Sequence, residues 1–386
     1  IDCAQIDKDF TNYLINLKYT NEYNQTQYRI NDAKFAKYLV ELPKQERDFA
    51  VDLLNMEETQ YDGSKYSKFS NGQIKDILKN PPENKEFLLD LINKKETKYG
   101  STRNVYSTYD IVNLANAVSL DKDLTKFLMS AKIEEVDYNN EKKYYTRFQS
   151  TYDIKTIVEA SAIDKEFTKK ILNMTTVMYD NNIRPKYTAD EIVQFLNLRE
   201  KYPLERIDRF MNLKMCSTFD DKYVARFNKP YEIAQLLFTE DKNKPLFDEL
   251  LNKTVENSKG VKSPMYDSSD IKNIVEASEI DSEYTRKLID ENDKNNSIYR
   301  MSGYEVLNLT KCAQVDKDLT EKLRGLKYKN DKGVYQRRFD CFEINDLVNA
   351  KIQDKDYLLK LAKMQNSNKS NFRFKTSELN ALIKSS

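Results

Sequence analysis

Histidine and tryptophan are missing altogether from these 386 residues, and glycine (7), proline (8) and cysteine (4) are scarce. Without histidine the chain lacks the commonest general acid–base and the commonest nitrogen ligand for zinc, copper and non-haem iron. No phosphate-cradling glycine-rich loop and no nucleophile elbow can be found. Cys3, Cys216, Cys312 and Cys341 show neither metal-type spacing nor a disulfide framework, which suits a reducing, cytoplasmic compartment. Long apolar runs are lacking as well, and no stretch approaches the roughly 18 residues that span a bilayer. Charge of one sign is not in excess either. The 63 basic and 62 acidic residues leave a net charge of +1, far from the positive field that marks many nucleic-acid binders. These absences predict a non-catalytic chain with no cofactor and no metal site.

What is present is one pattern used many times. The stretch YSTYDIVNLANAVSLDKDLTKFL, Tyr106 to Leu128, opens with an aromatic residue, a cap, and then acid and isoleucine at the third and fourth helical positions. Ser107 and Asp110 form a capping box, and Tyr106 can fold over Ile111 as a hydrophobic staple. The same grammar recurs at Phe69/Ser70/Gln73/Ile74, Tyr187/Thr188/Glu191/Ile192, Tyr266/Asp267/Asp270/Ile271, Met301/Ser302/Glu305/Val306 and Phe339/Asp340/Glu343/Ile344. Phe148/Ser150/Asp153/Ile154 matches with one inserted residue, and the copy from Phe227 to Ile233 replaces the cap with Pro230 at the first helical position.

Apolar residues then follow at helical spacing, as in Ile111, Leu114, Ala115 and Ile271, Ile274, Val275. A small residue comes next, such as Ala117, Ala160, Ala277, Cys312 or Ala350, where two helices can approach closely. Cys3 falls in that same column. A second helix opens at an aspartate cap in Asp121-Lys-Asp, Asp164-Lys-Glu, Asp281-Ser-Glu, Asp316-Lys-Asp and Asp354-Lys-Asp. The acids there suit the positive end of the helix dipole, so the Asp-x-Asp pattern reads as capping and not as a metal or acid–base pair.

Anchors lie about 35 to 43 residues apart, the period of helical-hairpin repeats. A single hairpin cannot cover its apolar face, but stacked neighbours can. The predicted fold is therefore mainly all-α, an α-solenoid of about ten helical-hairpin repeats. One elongated domain over 1–386 is expected, with repeats near 28–65, 66–105, 106–147, 148–186, 187–226, 227–265, 266–300, 301–338 and 339–371 and partial ones at 1–27 and 372–386. Because both ends fall inside a hairpin, the chain reads as an internal portion of a longer protein. The motif does not coincide with the tetratricopeptide, ankyrin or pentatricopeptide signatures.

Connectors between repeats are long for helix–helix links. Several show tyrosine-bearing arms about Asp62-Gly63 or Lys332-Gly333, which are hairpin signals, with Gly63, Gly260 and Gly333 at the turns. Short β-hairpins are predicted there, with irregular polar loops as the alternative. Asp290 to Arg300 lacks the pattern.

One arrangement invites a ligand. A basic residue precedes the staple in Lys68, Arg147, Lys186, Arg226, Arg300 and Arg338, with Tyr66, Tyr144, Tyr223, Tyr299 and Tyr335 a few positions earlier. Aligned on one edge, these side chains would make a ladder able to grip an acidic peptide, or to track phosphates and stack bases. The competing structural reading pairs each cation with the acid column Asp110, Asp153, Glu191, Glu232, Asp270, Glu305 and Glu343. The leading functional expectation is a scaffold that binds a protein or peptide along an extended surface. The second is a single-stranded nucleic-acid binder that uses the ladder.

Overall fold

The cap residues place the helices. Ser70, Ser107, Asp267, Ser302 and Asp340 each accept from the third helical amide, while the acid or amide side chain at that position accepts from the cap N–H. Thr188 and Glu191 exchange the same two bonds at 3.3 and 3.0 Å. The copy with the inserted residue differs, because Ser150 makes no side-chain cap bond. In the copy that starts at Pro230, Glu232 accepts from the Lys229 and Asn228 amides at 2.9 and 2.8 Å, replacing the missing cap.

The computed structural model describes every residue except 1, 21–24, 60–64, 99–100, 140, 179–181, 217–222, 257–259, 295–299, 330–334, 351–353, 366–371 and 385–386. Among the described residues the chain is mostly helical, and eight two-stranded antiparallel sheets lie between pairs of helices. The hairpins predicted in the connectors are therefore present. Glu57–Thr59 pairs with Lys65–Ser67, and Lys327–Lys329 pairs with Tyr335–Arg337. The longest joins Lys132–Val136 to Lys142–Thr146. Gly260 adopts φ 79° at its turn, a region open to glycine, while Gly63 and Gly333 lie outside the described residues.

The chain forms two compact units, Ile1–Glu200 and Lys201–Ser386. In the first unit, helix Asn71–Leu78 packs on Thr108–Leu120, which packs on Thr151–Ser161. In the second, Pro230–Lys242, Ser268–Ile280, Gly303–Arg324 and Cys341–Asn349 pack in succession. Their isoleucine, leucine and valine columns are buried, as are the staple residues Phe69, Phe148, Tyr187, Phe227, Tyr266, Met301 and Phe339. Ala117, Ala277 and Cys312 are fully covered where helices approach, but Cys3 is only half-buried. Helix Gly303–Arg324 contains both helices of its pair, separated by extended backbone at Asp316 (φ −155°, ψ 94°).

Several second-helix caps also link to a neighbour. Asp121 caps Leu124 with one oxygen (2.9 Å) and takes Lys165 Nζ on the other (2.8 Å). Asp164, beside that lysine, caps Phe167 at 2.9 Å and takes Arg199 Nε at 2.9 Å. The Phe167 amide and the Arg199 guanidinium hold the Asp164 carboxyl below its usual range. In the second unit Asp316 likewise caps Leu319 at 3.0 Å and binds Lys355. The Asp-Lys dipeptide thus serves two contacts, with its aspartate reaching one helix pair and its lysine the other.

Glu240, at the end of helix Pro230–Lys242, gathers Arg206 (3.0 Å), Arg209 (3.0 Å) and Lys244 (2.7 Å), and its side chain is 7% exposed. Burial alone would push its carboxyl up, but the three cationic hydrogen bonds outweigh it and hold the group at about 2. A depressed carboxyl contributes stability above its ordinary value of 4.5, and that stability is lost as pH falls toward about 2. Glu240→Ala is expected to cost about 2 kcal/mol at neutral pH, discounted for the partly exposed cations. Urea melts at pH 7 and pH 3 check this, because the gap between variant and parent should narrow in acid.

Tyr187 is buried edge-on against Phe195 (centroids 4.8 Å apart), and its hydroxyl has no hydrogen-bond partner among the described residues. An unpaired buried hydroxyl destabilises. Tyr187→Phe is therefore expected to raise stability by about 1 kcal/mol, read as a higher urea midpoint.

Candidate functional site

The cations before the staples occupy an internal position. The backbone N–H of each closes the base of a hairpin, as Lys68 does on Met56 O (2.9 Å), Arg147 on Ala131 O (2.9 Å), Lys186 on Met174 O (2.8 Å), Arg226 on Leu213 O (2.7 Å) and Arg338 on Leu326 O (2.8 Å). This turns the side chain toward the C-terminal end of the following second helix, where carbonyls lack intrahelical partners. Lys68 Nζ donates to Ile92 O at 3.0 Å, Arg147 Nη1 to Leu172 O at 2.6 Å and Arg226 Nη1 to Leu251 O at 2.5 Å. Arg226 Nη2 also reaches Tyr266 O at 2.9 Å, and Arg338 Nη2 binds Phe374 O, so the next staple is tied in as well.

Each cation lies over its own staple ring, at 5.9 Å for Lys68, 4.9 Å for Arg147, 5.2 Å for Lys186, 5.0 Å for Arg226 and 4.5 Å for Arg338. The acceptors of Lys68, Arg147, Arg226 and Arg338 are neutral carbonyls, and burial outweighs the attraction of Glu58 for Lys68 and of Glu343 for Arg338. It pulls the Arg226 guanidinium down to about 10 and lowers Lys68, Arg147, Lys186 and Arg338 in the same direction. Arg300 differs. Its Nη1 is buried with no hydrogen-bond partner among the described residues, and its charge is felt by Asp270.

For Lys68, Arg147, Arg226 and Arg338, carbonyl contacts thus stand where the competing reading had ion pairs with the acid column. The acids instead bind the start of the next first helix. Asp110 accepts from Thr151 Oγ1 at 2.6 Å, Asp270 from the Gly303 amide at 2.6 Å, and Glu343 from Thr376. Arg29, a residue the sequence reading passed over, makes the same clip: Leu54 O at 3.4 Å, Phe69 O at 2.5 Å and Asn71 Oδ1 at 2.9 Å. It was missed because Ile30 stands where other copies have an aromatic staple.

Two of the hairpin tyrosines have described side chains with a partner inside their own hairpin. Tyr66 Oη binds Glu58 at 3.3 Å and Tyr144 Oη binds Glu134 at 2.9 Å, each across its own hairpin. Tyr299 and the side chains of Tyr223 and Tyr335 lie outside the described residues.

Unpartnered aromatic surface is found elsewhere. The second residue of several first helices is an exposed ring: Tyr109 (61%) and Tyr152 (52%) in the first unit, Tyr231 (57%), Tyr304 (44%) and Phe342 (58%) in the second. Tyr304 and Phe342 stand on adjacent helices with centroids 5.4 Å apart. Toward the far ends of these helices sit further exposed apolar residues, Leu120 (57%), Phe238 (51%) and Val315 (61%).

Burial pushes the Cys312 and Cys341 thiols up to about 11, so both stay protonated at neutral pH. No group of three metal-ligating side chains occurs among the described residues, and none of the described helices is long and apolar enough to cross a membrane. Neither the known protein-family models nor the curated protein sequences contain a match to this chain.

Proposed function

We propose that the helix pairs are repeats of an α-solenoid and that the chain is a non-catalytic scaffold binding a protein or peptide through the outer face of its first helices. The observation that carries this reading is the series of exposed rings at the second helical position. Large aromatics left on a surface are costly to hydrate and are the commonest anchors of protein interfaces. Here Tyr304 and Phe342 already lie against each other, tilted by 40°, so a partner's apolar side chain meets a preformed surface of low conformational entropy. The nucleic-acid alternative draws less support, because the cations it needs are half-buried and bonded to carbonyls.

The test compares partners captured by the immobilised full chain with those captured by a Tyr304→Ala/Phe342→Ala variant, from nuclease-treated and untreated extracts. Proteins retained by the parent, lost with the variant and indifferent to nuclease are the expected result. Partners that vanish with nuclease and persist with the variant would overturn the reading.

A further inference from the structure

Two hairpins of the first unit, Glu57–Thr59 with Lys65–Ser67 and Lys95–Lys98 with Ser101–Asn104, flank a cleft of about 430 Å³, within the range of ligand pockets. Strand Glu57–Thr59 lines one wall, and Thr102, Arg103 and Asn104 line the other. Each strand pairs only inside its own hairpin. The bonds from Lys68 N–H to Met56 O and from Val105 N–H to Lys94 O, both 2.9 Å, fix the alternation of the two ladders. With the registers Glu57↔Ser67 and Lys95↔Asn104, the amides and carbonyls of Glu57, Thr59, Thr102 and Asn104 therefore point out of their hairpins. Those main-chain groups have no partner among the described residues. The walls are linked through side chains, by Asn104 Nδ2 donating to Glu58 Oε1 at 3.3 Å.

An outward position of the same kind is filled elsewhere in the unit. Val136 N–H donates to Asn182 Oδ1 at 2.7 Å, and Val136 O accepts from Asn182 Nδ2 at 3.1 Å. The side-chain amide of the neighbouring hairpin thus sits on that strand edge as a peptide group would. The cleft is also short of acid. Glu57 pairs with Lys65 (3.7 Å), Glu58 accepts from Tyr66 (3.3 Å) as well as from Asn104, and Arg103 pairs with Glu96 (2.6 Å). Lys68 and Lys95 line the cleft too, and among the described residues neither has a carboxylate within ion-pair distance, Lys68 Nζ donating to Ile92 O. Burial lowers the Lys68 ammonium against the attraction of Glu58, and Lys95 repels it further.

We propose that this cleft binds an extended peptide with acidic side chains, which enters between strands Glu57–Thr59 and Ser101–Asn104 and pairs its main chain with both edges. The site is separate from the ring surface of the first helices and works differently. Main-chain bonds supply the affinity, and the side chains that meet Lys68 and Lys95 supply the selectivity. An extended main chain offers donors and acceptors in alternation, as the two edges require, whereas a helix has spent its own. Charge decides which peptide enters. The carboxylates of the cleft are engaged and two of its ammonium groups are not, so an acidic side chain completes it and a basic one is repelled.

Fluorescence anisotropy of the full chain with a labelled, end-blocked hexapeptide of alternating threonine and glutamate tests the cleft. The hexapeptide is expected to bind. Its counterpart N-methylated at every second residue keeps each side chain and charge but loses main-chain donors, and should bind about tenfold more weakly. Thr102→Pro removes one outward N–H and no ladder bond, and is expected to weaken binding about fivefold. Lys95→Gln should weaken it about threefold, while Lys360→Gln, at an exposed site on helix Lys355–Lys363 of the other unit, should leave it unchanged. Hydrogen exchange of the parent chain needs no variant to fold: the amides of Glu57, Thr59, Thr102 and Asn104 should slow when the hexapeptide is added. No binding, equal affinity for the N-methylated peptide, or no slowing at those amides overturns the cleft. Tyr304→Ala/Phe342→Ala should bind the hexapeptide as the parent does, so the cleft and the ring surface stand or fall separately.

Discussion

Replacing Gly303 with valine is expected to cost about 4 kcal/mol, at the upper end of overpacking effects, and to lower the urea midpoint of the second unit accordingly. Gly303 opens its helix directly over the start of helix Ser268–Ile280. A Cβ at this position would lie 2.3 Å from Asp270 O and 2.4 Å from Asp270 Cα. Those are backbone atoms, so no rotamer change relieves the clash. Its N–H also donates to Asp270 Oδ1 at 2.6 Å, and separating the helices would forfeit that bond. Thr108, Thr151, Ser268 and Cys341 fill the corresponding position in other copies. Gly303 belongs to the shortest spacing between anchors, Ile271 to Val306, where there is less chain to hold the helices apart. Gly303→Ala should show the same direction with a smaller loss.

Arg226→Met is expected to cost about 3 kcal/mol, the penalty for leaving two buried carbonyls without their charged donor. Methionine preserves much of the packing over Phe227 but cannot donate to Leu251 O or Tyr266 O. The substitution separates two contributions, since the backbone bond from residue 226 to Leu213 O survives it. If the guanidinium mattered only as an apolar stem, methionine would be neutral. Equilibrium urea denaturation of the full chain reads the difference.

Much of this was legible in the sequence, for identifiable reasons. Capping boxes such as Ser107/Asp110 and Asp340/Glu343 are local, so residue type and spacing determine them without knowledge of the fold. The hairpins were legible at Asp62-Gly63 for the same reason. The partners of the cations were not. A main-chain carbonyl leaves no mark in a sequence, so Arg147 and Arg226 were matched to the acids in view when their acceptors were Leu172 O and Leu251 O.

The aromatic column was in plain sight. Tyr109 stands two residues before Ile111, which at about 100° per residue puts it on the far side of the helix from the buried stripe. An aromatic repeated there, in Tyr152, Tyr231, Tyr304 and Phe342, is not explained by packing into the core.

Cations beside the staples join helix pairs, which leaves the exposed rings of the first helices as the partner surface we propose. Phenylglyoxal labelling of the native full chain, read residue by residue by mass spectrometry, tests it most directly. Arg147, Arg226 and Arg338 should be modified far more slowly than Arg103, whose side chain is 59% exposed, and should catch up only in denaturant. Labelling of the three at the rate of Arg103 in the native chain would contradict the account.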